Sequence, residues 1–144
     1  MRTSSEICID ASFALKLVLF EPGSEEAHDL WESWLGSDLL IIAPLLLFFE
    51  ATSVIRNHVH RELISEEAGR EALEALQGLS IRAVHSEELH LRAWEIATRF
   101  NRPAAYDSYY LAVAEATGCD LWTADQRLYN AVGEELSWVN YLRK

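Results

Sequence analysis

Cysteine, proline, lysine and long apolar runs are all scarce in this chain, and each scarcity excludes something. There are two cysteines, Cys8 and Cys119. They follow no metal-ligand spacing and have no evident base beside them, so zinc-site and thiol-nucleophile chemistry lack support. The expectation is a pair of buried thiols in a reducing compartment. Three prolines and six glycines leave no linker, repeat or low-complexity tract. The most apolar run, Leu39 to Phe49, is broken by Pro44 and is shorter than the ~20 residues of a membrane span. The opening Met-Arg-Thr-Ser-Ser-Glu lacks a secretory apolar region after it. A soluble, cytoplasmic protein with no membrane association is expected. Positive charge is also short: 12 Lys and Arg face 23 Asp and Glu, for a net charge of -11. Lys16 and Lys144 are the only lysines, and the remaining cations are arginines, which grip phosphate bidentately.

What is present is apolar: 50% of the 144 residues are hydrophobic. That suffices for one sizeable core and is too little chain for two ordinary domains, so residues 1–144 read as a single domain. The acidic balance argues against binding nucleic acid by simple phosphate neutralisation. It leaves open that the carboxylates ligate metal and the metal meets phosphate, or that the partner is basic.

Short apolar runs alternate with longer amphipathic ones. Glu6–Ile9, Leu39–Ala43, Ile81–Val84, Asp120–Thr123 and, weakly, Ser137–Val139 read as strands. The intervening stretches read as helices: Ser12 to Phe20, Ser24 to Leu35, Pro44 to Arg61, Ser65 to Gly78, Ser86 to Phe100, Asn101 to Thr117, and a short one capped by Asp125. Ser12, Ser24 and Ser86 suit N-caps, and Gly118 a C-terminal stop. Apolar strands separated by helices imply an α/β protein, a three-layer α/β/α sandwich with a central parallel sheet. Ligands then bind beyond the carboxyl ends of the strands.

Most carboxylates sit in first helical turns or on solvated faces, where the helix dipole explains them. Four do not fit so easily. Asp10 follows the first strand and Asp125 the fourth; alone, these read as a turn residue and an N-cap. Glu50 lies among apolar helical neighbours, and a carboxylate is rarely buried without a partner. Its structural alternative is an ion pair with Arg56 or Arg102. Asp107 opens a largely apolar helix, with Tyr110, Leu111 and Ala114 on its face. A parallel sheet can bring all four to one crevice, where their repulsion raises their pKa values unless a hard cation intervenes. Oxygen-only ligands select Mg²⁺ or Mn²⁺, which suit phosphoryl displacement.

Ile9-Asp10-Ala-Ser12, Pro44 with Glu50, Tyr106-Asp107-Ser-Tyr-Tyr-Leu-Ala and Leu-Trp-Thr123-Ala-Asp125-Gln-Arg-Leu128, in that order, resemble the PIN-domain ribonucleases. The likeness covers nearly the whole chain and is strongest to the stand-alone, VapC-like toxins of toxin–antitoxin pairs. It implies that Asp10, Glu50, Asp107 and Asp125 hold Mg²⁺ or Mn²⁺ and cut RNA as an endoribonuclease. Ser12 and Thr123 match accessory polar positions. Ser53 stands where the family often has asparagine. The resemblance further implies a homodimer and a cognate antitoxin.

Two other phosphoryl-transfer classes fit less well. Haloacid-dehalogenase-like phosphatases need a second aspartate where Ser12 stands, and receiver domains need a late lysine. An RNA-processing nuclease without a toxin role and a non-catalytic α/β interaction module remain as alternatives. Arg56, Arg61 and Arg102 are candidate phosphate contacts, since they lie on or beside the helices of Glu50 and Asp107. His28, His58, His60, His85 and His90 form no catalytic pairing in the sequence, which points to structural or solvated roles.

Overall fold

A computed structural model of the protein describes residues 4–143. Five strands form one sheet, β1 (Glu6–Ile9), β2 (Leu40–Pro44), β3 (Ile81–Val84), β4 (Asp120–Thr123) and β5 (Val139–Tyr141). Their spatial order is β3-β2-β1-β4-β5 and every pairing is parallel. The order reverses at β1, so the crevice between the ends of β1 and β4 is a topological switch point. Seven helices connect the strands: α1 (Ala11–Val18), α2 (Ser24–Gly36), α3 (Leu46–His60), α4 (Glu66–Gly78), α5 (Glu88–Arg99), α6 (Tyr106–Thr117) and α7 (Gln126–Val132). The expected α/β/α architecture is therefore the observed one.

Central strands are apolar because both their faces are covered. Cys8, Ile9, Ile41, Ile42, Ala43 and Leu121 are fully buried. Edge strand β3 is less covered, with Ile81 and Val84 half-buried and Arg82 and Ala83 exposed. One face of the sheet carries α6, packed against β1, β2 and β4, with α5 against it. Tyr110 to Ala114 of α6 are buried without a break, as expected of a helix enclosed on all sides. On the other side, α1 packs on β4 and meets α2, α3 and α4. There Phe13 stacks on Trp34 at 5.2 Å, and Trp34 meets Trp122 at 5.8 Å between ring centroids.

Several helix starts differ from expectation, for local reasons. Asp10, not Ser12, caps α1, accepting from the Phe13 backbone N–H. Gly23, at φ 96°, precedes α2, and the Ser24 hydroxyl turns back to donate to the Leu19 carbonyl. Glu87 rather than Ser86 stands at the start of α5. Helix α6 begins at Tyr106, well after Asn101. Asn101 is left-handed at φ 52°, its N–H reaching the Thr98 carbonyl and that of Arg102 the Ala97 carbonyl. This pair of bonds is a Schellman closure of α5. Pro103 then disfavours helical geometry at Arg102. The last strand lies at Val139–Tyr141, later than Ser137–Val139, because Val139 is the residue that pairs with Leu121. Both cysteines are buried in the core. Among the described residues, no helix is long and apolar enough to cross a membrane.

Helices α3 and α4 touch through Gly69, where a Cβ would lie 2.4 Å from the Val59 Cγ2. Gly69→Ala is expected to force the pair apart and lower stability by about 1–3 kcal/mol. Gly36→Ala, with nothing within 4 Å, should not. Urea unfolding of both variants checks the contrast, and equal stability would show that α4 adjusts freely.

Candidate active site

The carboxyl edge of the sheet gathers the unusual acids. Asp10 is the first residue beyond β1 and is only 4% exposed. Its backbone N–H continues the β1–β4 ladder to the Trp122 carbonyl, and this places its side chain beside Thr123 at the end of β4. Thr123 Oγ1 donates to Asp10 Oδ2 at 2.5 Å, Ser12 Oγ donates to Oδ1 at 2.6 Å, and the Phe13 N–H donates to Oδ1 at 3.0 Å. Ser12 Oγ and Thr123 Oγ1 lie 3.2 Å apart. Ser12 also accepts from the Ala124 N–H, and Thr123 from the Asp125 N–H. Two hydroxyls thus tie one carboxylate to the start of α1 and to the loop after β4.

Burial raises the Asp10 pKa to about 6. The hydrogen bonds from Ser12, Thr123 and Phe13 hold it back, and the charge of Asp107 pushes it further up. Glu50, half-buried on α3, is likewise raised, first by desolvation and then by Asp107. Its partner is Tyr110, whose hydroxyl donates to Glu50 Oε1 at 2.5 Å and opposes that rise. Burial, reinforced by the same bond, drives the Tyr110 hydroxyl well above its ordinary range, so the phenol keeps its proton.

Asp107, in the first turn of α6, is the shared electrostatic neighbour of Asp10 and Glu50. Its Oδ2 accepts from Arg102 Nη2 at 3.2 Å. The ion pair considered for Glu50 is therefore made by Asp107 instead, while Arg56 lies exposed on α3. Asp125 follows β4 by two residues, and its Oδ1 caps α7 through the N–H groups of Arg127 and Leu128. Its tie to the other acids runs through Thr123. Ser53 is exposed on α3, and Arg61 is exposed just past its end.

Sequence reasoning did not assign Tyr110 as the partner of Glu50. The signal was present: Tyr110 stands three residues after Asp107, on the same face of α6.

The donor set suits a hard divalent cation. Its groups are carboxylates and hydroxyls, and Asp10 and Glu50 are raised by burial and, to a smaller extent, by the charge of Asp107, which such a cation would offset. Among the described residues, no three Asp, Glu, His or Cys side chains already stand as a closed ligand set. The acids are neighbours in charge, with Asp107 held by Arg102 and Asp125 by the helix end.

The chain as a whole is similar to known proteins. The PIN domain family matches residues 7–134. Ribonuclease VapC9 of Mycobacterium tuberculosis is 34% identical over 122 residues, covering 85% of this chain and 87% of that protein. Ribonuclease VapC1 of the same species is 38% identical over 92 residues, covering 63% and 67%. Two solved structures share the fold at a TM-score of 0.66. The Mycobacterium tuberculosis toxin VapC20, described as cleaving the sarcin-ricin loop, is 19% identical and covers 88% of this chain and 95% of its own. A Pyrobaculum aerophilum protein is 21% identical, with 88% and 84% covered.

A buried acid with a raised pKa makes metal-free stability depend on pH. Between about pH 4 and pH 6, folded Asp10 holds its proton while the unfolded carboxyl has lost it, so stability falls as pH rises and levels off above. A rise from 3.8 to about 6 corresponds to about 3 kcal/mol. Asp10→Asn is therefore expected to gain on wild type by that order between pH 4 and pH 7 in EDTA. Parallel stability curves for the two proteins would contradict this account.

Proposed function

This chain belongs to the PIN domain family, and from that membership we propose that it is a Mg²⁺- or Mn²⁺-dependent endoribonuclease, the toxin of a toxin–antitoxin pair. Residues 1–144 act as one nuclease domain in this reading. The observation that carries it is the grouping of Asp10, Glu50 and Asp107 at the switch point of the sheet, where each raised pKa is traced in part to Asp107. A fold alone gains nothing from setting three acids within one another's field. A site for a cation gains its ligands.

Asp10, Glu50, Asp107 and Asp125 are the residues that would hold the metal. When bound, it would offset their charge and stabilise the negative charge that builds on phosphate during hydrolysis. The chain's own groups do the rest. Ser12 and Thr123 fix both oxygens of Asp10, leaving the carboxylate little freedom to rotate. Tyr110 donates to Oε1 of Glu50 and leaves Oε2 for other contacts. Arg102, released from Asp107, is placed to grip a phosphate oxygen of the RNA backbone. Asp125 opens α7 and is joined to the Asp10 network through Thr123, so a change at either reaches the other.

The net charge of -11 fits both halves of the proposal. Acids neutralised by cations meet an anionic substrate, and an acidic surface favours a basic antitoxin segment. A homodimer is part of the same reading, supported by the exposed Leu91 and Trp94 on α5, which offer apolar surface to a second copy.

Cleavage of single-stranded RNA should require Mg²⁺ or Mn²⁺ and stop in excess EDTA. Asp10→Asn and Glu50→Gln should each lower kcat by at least about 100-fold while circular dichroism and thermal melting report a folded protein. Full cleavage in EDTA would sink the metal-dependent mechanism. Activity unchanged in both variants would remove the assigned site.

A further inference from the structure

Beside the candidate active site, beyond the carboxyl ends of β2 and β3, lies a cavity of about 280 Å³. One side of it comes from α3 and α6, the helices that carry Glu50 and Asp107, and the other from the end of β3 and the start of α5. Phe49 precedes Glu50 on α3, Tyr106 precedes Asp107 on α6, and both rings are well exposed, at 66% and 60%. The remaining aromatic wall is a ladder of His85, His90 and Tyr109. His90 stands edge-on to Tyr109 at 5.5 Å with its Nδ1 2.6 Å from the Tyr109 hydroxyl, and edge-on to His85 at 6.2 Å. In a chain of net charge -11, no lining residue is acidic.

These features select among ligands. The space lies near the lower end of small-ligand cavities, which start at roughly 300 Å³. It offers π faces for stacking and imidazole and phenol groups for hydrogen bonding, and nothing in its lining repels an anion. Single-stranded RNA presents that chemistry, a planar base on a charged backbone, and proteins bind unpaired bases by stacking them on Phe, Tyr and His. Pro44, Leu45, Leu46, Val84 and Leu89 complete the lining with apolar surface for a ring, and the His85–His90–Tyr109 ladder adds polar contacts that an aliphatic protein helix would leave unused.

We propose that this cavity is a base-binding subsite, in which Phe49 and Tyr106 stack an unpaired RNA base and His90 with Tyr109 contacts its edge, next to the phosphate delivered to the acids. The proposal rests on the ribonuclease reading and deepens it, since it places part of substrate selection at residues that take no part in metal binding.

The test is binding of the four nucleoside 5′-monophosphates, with ribose 5-phosphate as the baseless control, followed by saturation-transfer NMR in EDTA. Base protons should take up saturation in wild type, and ribose 5-phosphate should give none. Phe49→Ala/Tyr106→Ala should lose the signal, and Tyr106→Phe should keep it. With RNA as substrate, the double variant should raise KM by about ten-fold, more than it lowers kcat. An undiminished base signal in the double variant overturns the subsite. So does loss of the signal together with loss of self-association in light scattering, which would make this face a contact between copies. Nucleotide binding as expected with no RNA cleavage in Mg²⁺ or Mn²⁺ would support the subsite and overturn the nuclease reading, so the two failures are separable.

Discussion

The buried carboxylate of Asp10 is the point on which the rest of the site depends. It caps α1 through the Phe13 N–H, receives the Thr123 hydroxyl from the end of β4, and shares Ser12 with the Ala124 backbone. One side chain thus joins the first strand, the first helix and the loop that leads to Asp125. Burial raises its pKa to about 6, and three donors limit that rise. A carboxylate so placed costs the fold stability when ionised, and the cost is acceptable only where the charge has a use.

The other acids are held by weaker devices suited to exchange. Asp107 is balanced by Arg102, in an ion pair open enough to solvent that its breaking costs little. Glu50 is held at one oxygen by Tyr110. Asp125 is engaged by the start of α7. One rigid acid beside three adjustable ones suits the proposed role, in which the ligands would gather on a cation.

The region around the site divides by charge. The acids lie toward the switch point between β1 and β4, whereas the cavity past β2 and β3 is lined by aliphatic and aromatic side chains and is free of carboxylates. Both lie at the same edge of the sheet because α3 and α6 each present an acid next to an aromatic residue: Phe49 before Glu50 and Tyr106 before Asp107. Consecutive helical residues point about 100° apart, so each helix serves two neighbouring surfaces with adjacent positions.

The parallel α/β/α arrangement was legible in the sequence, because apolar strands covered on both faces and amphipathic helices have different periods. The candidate acids were legible too, since Glu50 and Asp107 interrupt apolar patterns that otherwise read cleanly. Helix starts were less so. Asp10 and Ser12 are equally good caps by type, and only the position of β4 beside β1 decides which one faces Phe13 and which one faces Ala124. Pairing across long sequence separation carried the rest. Arg102 bonds Asp107 rather than Glu50 because the Schellman turn after α5 sets it there, and Tyr110 reaches Glu50 across sixty positions of chain. Two of the histidines, which form no pairing in the sequence, find neighbours from the same cause: His90 meets Tyr109 only once α5 lies on α6, and His85 stands against His90. Composition and periodicity determine which residues are buried and in what kind of layer. Which buried polar group answers which is decided by tertiary packing, since hydrogen bonds and charges act over a few ångströms and sequence distance is no guide to them.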